Sequence, residues 1–133
     1  MKIIDGAGMV MGRLASYAAK EALKGEEIVI LNCEQVIISG NRQMNLEHFQ
    51  ARRRMAGSGF KGPIHRRPSY MIVKRAIRGM VPQYRTGRGR DAFKKIKCYN
   101  DTPKEFENAK KIKLDIRKPL KHSVVKEFSK WMK

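Results

Sequence analysis

Residues 1–31 restrict the fold more than any other stretch of the chain. The segment Lys2 to Asp5 carries the pair Ile3-Ile4 and reads as a short apolar strand. Gly6-Ala7-Gly8 then turns it into a segment where Met11, Leu14, Ala15, Ala18 and Ala22 recur at helical spacing. Alanine at so many of these positions suits a helix packed closely on a sheet, and Gly25 after Lys24 is a plausible helix stop. Ile28 to Leu31 follows as an unbroken apolar run of strand length, the pattern of a central strand covered on both faces. Strand, helix and strand in this order predict a parallel pair joined by a right-handed crossover.

The later elements are less sharply marked. Val36-Ile37-Ile38 is β-branched, but Asn32 to Gln35 is too short for a parallel crossover, leaving an antiparallel neighbour or a bent continuation of the previous strand. Ser39-Gly40-Asn41 is turn chemistry, and Met44 to Met55 reads as a helix ending in Arg52-Arg53-Arg54. The glycines and proline between Ala56 and Arg66 predict an exposed loop carrying Phe60, Lys61, His65 and Arg66. Pro68 opens a helix with Tyr70, Val73, Ala76, Ile77 and Met80 on one face and Lys74, Arg75 and Arg78 on the other. Pro82 closes it. Gln83 to Arg90 is predicted to be a loop, mobile when free, followed by a short helix around Asp91 to Lys95 and a last strand over Ile96 to Tyr99. Lys104 to Pro119 has no clear period. Ser123 is the predicted cap of a final helix with Val124, Phe128, Trp131 and Met132 on one face, Trp131 anchoring it to the core.

At 133 residues the chain suits one domain, and no apolar run approaches the ~20 residues of a membrane span. The opening MKIIDGAG lacks the apolar centre of a secretory signal, so a cytoplasmic location is expected. Charge divides the domain into three parts. Residues 1–51, the near-neutral βαβ scaffold, hold 5 Lys or Arg against 6 acids, whereas residues 52–97 hold 15 against the single acid Asp91. Residues 98–133, a C-terminal segment and helix, add 10 against 5, completing the net charge of +18. A charge so concentrated implies a polyanionic partner and therefore nucleic acid.

Candidate chemistry is sparse outside this basic region. The turn Gly6-x-Gly8 with Gly12 resembles a dinucleotide-binding fingerprint imperfectly, since Met11 occupies the third glycine position and Asn32 stands near the expected acid. It leaves open a nucleotide-dependent RNA-modifying enzyme; a turn that only seats the helix on the strand predicts instead that Gly8→Val or Gly12→Val damages folding. No hydrolase, metalloprotease or P-loop motif occurs, and Cys33 and Cys98 read as buried free thiols, so no catalytic residue, cofactor or metal is assigned. His48 and His122 read as packing or surface residues, whereas His65, among Lys61, Arg66 and Arg67, could stack on a base or bond a phosphate. The candidate RNA-binding residues are Arg52, Arg53, Arg54, Lys61, His65, Arg66, Arg67, Lys74, Arg78, Tyr84, Arg85, Arg88, Arg90, Lys94 and Lys95. Arginine forks match phosphate oxygens and stack on bases, and Tyr84, Phe60 and His65 interleave rings among them. Binding by loops favours folded RNA over a DNA major groove, although a DNA-compacting protein remains an alternative.

From Ile77 to Asp101, the elements Gly79-Met80-Val81-Pro82, Gly89-Arg90 and Ile96-Lys97-Cys98-Tyr99 resemble the signature of the universal large-subunit ribosomal protein family numbered thirteen. The resemblance extends to Asp5 with Gly12-Arg13-Leu14-Ala15, to Leu31-Asn32 with Ser39-Gly40-Asn41, and to Trp131. Gly62-Pro63-x-His65 with Arg67-Pro68-Ser69 looks like the archaeal and eukaryotic branch. The resemblance implies a three-layer α/β/α domain with a mostly parallel sheet of about four strands and basic extensions. It also implies large-subunit ribosomal RNA and neighbouring ribosomal proteins as partners, a structural role in the subunit as a monomer, and RNA contact by Arg78 to Arg90.

Overall fold

The computed structural model describes all residues except 56, 58, 60, 115, 116 and 131–133, so the expectations for Phe60, Trp131 and Met132 lie outside the described residues. The predicted βαβ unit is present as β1 (Lys2–Asp5), α1 (Met11–Leu23) and β2 (Ile28–Leu31). β2 is central, flanked in parallel by β1 and by β4 (Ile96–Cys98), with Ile3 opposite Val29 and Ile28 opposite Ile96. A fourth backbone position runs along β1, where the Ile112 amide donates to the Ile3 carbonyl at 2.8 Å and its carbonyl accepts from Asp5 at 3.0 Å.

Alternation along the strands builds two cores. Ile4, Ile28 and Ile30 face α1, α3 (Ser69–Met80) and α4 (Gly87–Lys94), meeting Leu14, Ala18, Ile72, Val73 and Ile77. Ile3, Val29 and Leu31 face the other way, under Tyr99, Phe106 and Ala109. That third layer is a chain segment with one 3-10 turn at Lys104–Phe106. All four residues of β2 are buried, as a strand covered on both faces requires.

Val36–Ile38 is resolved in an unanticipated way. Asn32, in the left-handed conformation with φ of 54°, and a 3-10 turn at Cys33–Gln35 carry the chain out of the first sheet. Strand β3 (Ile37–Ser39) then pairs antiparallel with β5 (His122–Val124), giving a second, two-stranded sheet. Ser123 is therefore a buried strand residue and not a helix cap; its hydroxyl accepts from Asn45 Nδ2 at 3.0 Å. The final helix, α5 (Val125–Lys130), buries Phe128 as predicted, with Val125 in place of Val124, which is a half-buried residue of β5. This C-terminal unit holds α2 (Arg42–Arg54), which buries no residue fully. Phe49 stacks on Phe128 with ring centroids 4.7 Å apart, Arg42 pairs with Glu127 at 2.7 Å, and Arg53 donates to the Phe128 carbonyl at 2.9 Å.

The glycine turn serves packing, although not at every position expected. A Cβ on Gly6 would lie 2.8 Å from the Leu31 carbonyl oxygen and 2.9 Å from Val36, so the close approach of the β1 turn to the end of β2 excludes any side chain. Gly8 needs its positive φ of 72°. Gly12, by contrast, faces open space, which corrects the expectation that enlarging it obstructs folding. The amides of the turn are also consumed internally: Gly6 donates to Leu31 O, Ala7 to Asp5 Oδ1, Gly8 to Gln35 O and Met9 to Gly6 O. A dinucleotide loop directs such amides at a pyrophosphate. This turn has none to offer, and the nucleotide-dependent alternative loses its basis.

Two stability predictions arise here. Ile77 is fully buried between α3 and the sheet, so Ile77→Ala is expected to cost about 2–4 kcal/mol in urea denaturation, and Val73→Ala somewhat less. Arg78→Gln, on the wet side of the same helix, should leave the midpoint in place. The second concerns Glu21, whose carboxylate is bonded by Lys2 and, at 2.7 Å, by Lys24. These bonds hold its pKa down to about 2, against the ordinary 4.5. A carboxyl whose folded pKa is depressed stabilises the fold above its unfolded value and loses that contribution as pH falls through the interval toward 2. Melting temperature is therefore expected to fall between about pH 5 and pH 2, and Glu21→Gln to flatten that fall. An unchanged acid profile in the variant would remove Glu21 from the account.

Candidate nucleic-acid interface

The basic face is assembled from the end of α2, the segment before α3, the outer side of α3, and α4. The α3 face is close to expectation. Val73 and Ile77 are buried, Lys74, Arg75 and Arg78 are half-buried on the wet side, and Ile72 takes the inward place assigned to Met80, which is exposed.

The predicted mobile loop at Gln83–Arg90 is a turn followed by the start of a helix. Gln83 adopts a positive φ of 41°, and α4 begins at Gly87, so Arg88 and Arg90 project from its first turn while Arg85 precedes it. Gly89 is the reason this can happen. A Cβ there would sit 1.6 Å from the Pro82 carbonyl oxygen, so the turn lies directly across the α4 backbone. The motif glycines of this stretch therefore include one that fixes shape, where sequence reading saw only looseness.

Rings and cations interleave along this face. The Arg78 guanidinium stands 4.8 Å from the Tyr84 ring centre, Arg85 lies 5.6 Å from it, and Tyr84 meets Phe93 edge-on at 6.4 Å. The bond from Arg85 Nε to the Tyr84 hydroxyl, followed by the charges of Arg85, Arg78 and Arg75, lowers the Tyr84 phenol below its ordinary range despite burial. The Lys74 ammonium lies 5.4 Å over the Phe93 ring. Beside this array is a cavity of about 640 Å³ walled by Arg66, Lys74, Arg75, Arg78 and Lys97.

Some candidate residues are committed elsewhere. Arg75 donates to His65 Nε2 at 3.2 Å and to the Ile64 carbonyl at 3.0 Å, so His65 orients an arginine and does not present that nitrogen to solvent. Burial, then the charges of Arg75, Arg52, Arg53 and Arg78, hold the imidazole pKa below its usual value and keep it neutral near pH 7. Arg53 is turned inward to the Phe128 carbonyl, with burial lowering its pKa, and Lys95 donates to the Gly25 carbonyl at 3.0 Å, past the end of α1. Arg52, Arg54, Lys61, Arg66, Arg67, Arg85, Arg88, Arg90 and Lys94 are exposed. Five ion pairs occur among the described residues, and none takes Lys74, Arg75, Arg78, Arg85, Arg88 or Arg90. Sequence reading omitted Arg75 and Lys97 from the site, although both stand in the acid-poor run that should have flagged them. It also omitted Tyr70 and Tyr99, whose place beside the cations depends on tertiary packing. Both cysteines are free thiols, Cys33 buried as expected but Cys98 only half-buried; contact with Cys98, then burial, raises the Cys33 thiol pKa.

A small mixed α/β domain in which Lys74, Arg75, Arg78, Arg85, Arg88 and Arg90 stand among rings and enter no ion pair among the described residues is a basic scaffold built to face a polyanion. The chain belongs to the ribosomal protein L13 family, whose model matches residues 1–105. It is 40% identical over 115 residues to the large ribosomal subunit protein uL13 of Methanococcoides burtonii, covering 86% of this chain and 81% of that one. The uL13 of Methanocaldococcus jannaschii is 42% identical over 115 residues, covering 84% and 83%. That of Archaeoglobus fulgidus is 33% identical over 136 residues, covering 98% and 86%. The similarity to archaeal sequences agrees with the branch suggested by Gly62-Pro63-x-His65.

Proposed function

We propose that this chain is a structural constituent of the large ribosomal subunit, binding its ribosomal RNA through the face formed by α3, α4 and the end of α2 and supporting subunit assembly without catalysis. The observation that carries this reading, beside the family, is the cationic side of α3 and α4, where Lys74, Arg75, Arg78, Arg88 and Arg90 enter no ion pair among the described residues, within a run, residues 52–97, of 15 bases and one acid. Phosphate oxygens would supply the counter-charges, and release of condensed cations would drive association. Exposed Arg52, Arg54, Lys61, Arg66, Arg67, Arg85, Arg88, Arg90 and Lys94 would make the outer contacts, with Lys74 and Arg78 on the ring-bearing side. Arg53 and Lys95 would act mainly by holding α2 and α1 in place. The proposed location is the cytoplasm, bound to the ribosome as one copy among neighbouring subunit proteins. Sedimentation of a cell lysate tests it: the protein should migrate with large subunits and leave them at high salt. Recovery in the soluble fraction at low salt, or equal affinity for duplex DNA and structured RNA, would refute it.

A further inference from the structure

The cavity beside α3 has a second chemistry that phosphate binding alone leaves unused. Tyr70 from the start of α3 and Phe93 from the end of α4 line it, with Met71 beside them, and Tyr99 just beyond β4 borders it while its ring packs on Phe106 under the opposite face of the sheet. The site is held in shape from both ends. Asn100 Oδ1 accepts from the Tyr70 amide at 3.0 Å, fastening α3 to the chain after β4, and Tyr99 rests against Phe106 with centroids 6.1 Å apart. No acid lines the cavity among the described residues. Its volume of about 640 Å³ lies within the ~300–1,000 Å³ of pockets that enclose small molecules.

Resting on the RNA-binding reading above, we propose that this cavity receives one unstacked nucleotide of the RNA, its base against the rings and its flanking phosphates on Lys74, Arg78 and Lys97. A continuous duplex presents phosphates but keeps its bases stacked inside, so it would engage the cations and leave the rings empty. A bulged or looped-out nucleotide offers both surfaces together, and unstacked bases are what proteins read most readily in RNA. The Lys74 ammonium lies over Phe93, so an entering base would take that ring face and meet the displaced cation at its own phosphate.

The test compares an RNA hairpin carrying a single bulged 2-aminopurine, the same hairpin fully paired, and free adenosine 5′-monophosphate. Wild type should bind the bulged hairpin about tenfold more tightly than the paired one, the gain expected from stacking one base on aromatic side chains. The 2-aminopurine fluorescence should be quenched on binding. Tyr70→Leu removes a ring, and Met71→Trp, at a position 36% exposed, fills the cavity from outside the core. Both should bring the ratio of affinities to about one while leaving paired-hairpin affinity and melting temperature near wild type. A wild-type ratio of one with both hairpins bound would overturn the inference and leave the RNA-binding reading standing. Failure to bind either hairpin would overturn both. Displacement of the bulged hairpin by millimolar free nucleotide would assign the cavity to a free metabolite and sink the proposal. A preference that survives Met71→Trp would do the same.

Discussion

Gly89→Ala is expected to destabilise the domain by at least about 3 kcal/mol, enough to lower its melting temperature by roughly 10 °C or more. The added methyl would have to occupy the position of the Pro82 carbonyl, 1.6 Å away, with the Pro82 carbonyl carbon at 2.9 Å and the Gln83 carbonyl oxygen at 3.1 Å behind it. These are backbone atoms, so no side chain can rotate away; the turn must lift or α4 must slide. Either movement disturbs Ala92, which is buried against the core from the same helix. Gly12→Ala is the matched control. It also lies in a helix, but its Cβ meets nothing within 4 Å, so it should stabilise the protein by about 0.5–1 kcal/mol through helix propensity alone. Chemical denaturation of the two variants beside wild type decides the matter. A Gly89→Ala protein as stable as its parent would mean that the turn does not rest on α4.

The second large effect should appear in RNA affinity. Arg85, Arg88 and Arg90 are exposed on the turn and first helical residues of α4, and none enters an ion pair among the described residues. If each neutralises about one phosphate, replacing all three with Gln should reduce the slope of log affinity against log salt by about 2–3 units. Affinity at about 0.1 M salt should fall by two to three decades. Because Arg88 and Arg90 already stand on a helix that Gly89 and Ala92 seat, the free protein needs no RNA to order this segment, and its melting temperature should stay near wild type. An unchanged slope together with a lowered melting temperature would show that these arginines hold the domain together and that RNA lies elsewhere.

What could be read in advance followed from interactions close in sequence. The βαβ unit was legible because β1 and β2 are apolar runs of strand length and α1 repeats its buried residues at helical spacing, and the inward face of α3 was legible at Val73 and Ile77 by that same helical spacing. The segment around Arg88 was misread because glycine normally argues for a loop, and only the Pro82 carbonyl explains a buried glycine within a helix. Ser123 carried the chemistry of a cap, yet its backbone is claimed by Ile38 across 85 residues, a pairing with no local trace. Charge density located the candidate face, but could not separate Arg53 and Lys95, which bond to carbonyls of the scaffold, from their exposed neighbours. Tyr70, Phe93 and Tyr99 border one cavity only because α3, α4 and β4 pack together, so that cavity could not be seen in any one stretch.

The clamp on α2 also sets an order of events as the chain is made. Synthesis runs from the N-terminus, so Arg42 and Arg53 emerge before the groups that later hold them at Glu127 and Phe128, separated by 85 and 75 residues. During that interval β3 has no antiparallel partner and the arginines at the end of α2 lack their anchor. Closure of β5 on β3 is therefore a late step with high loop entropy, arriving after the βαβ unit can already have formed from local contacts. On that order a nascent chain would carry the cationic end of α2 untethered until the C-terminal helix is released.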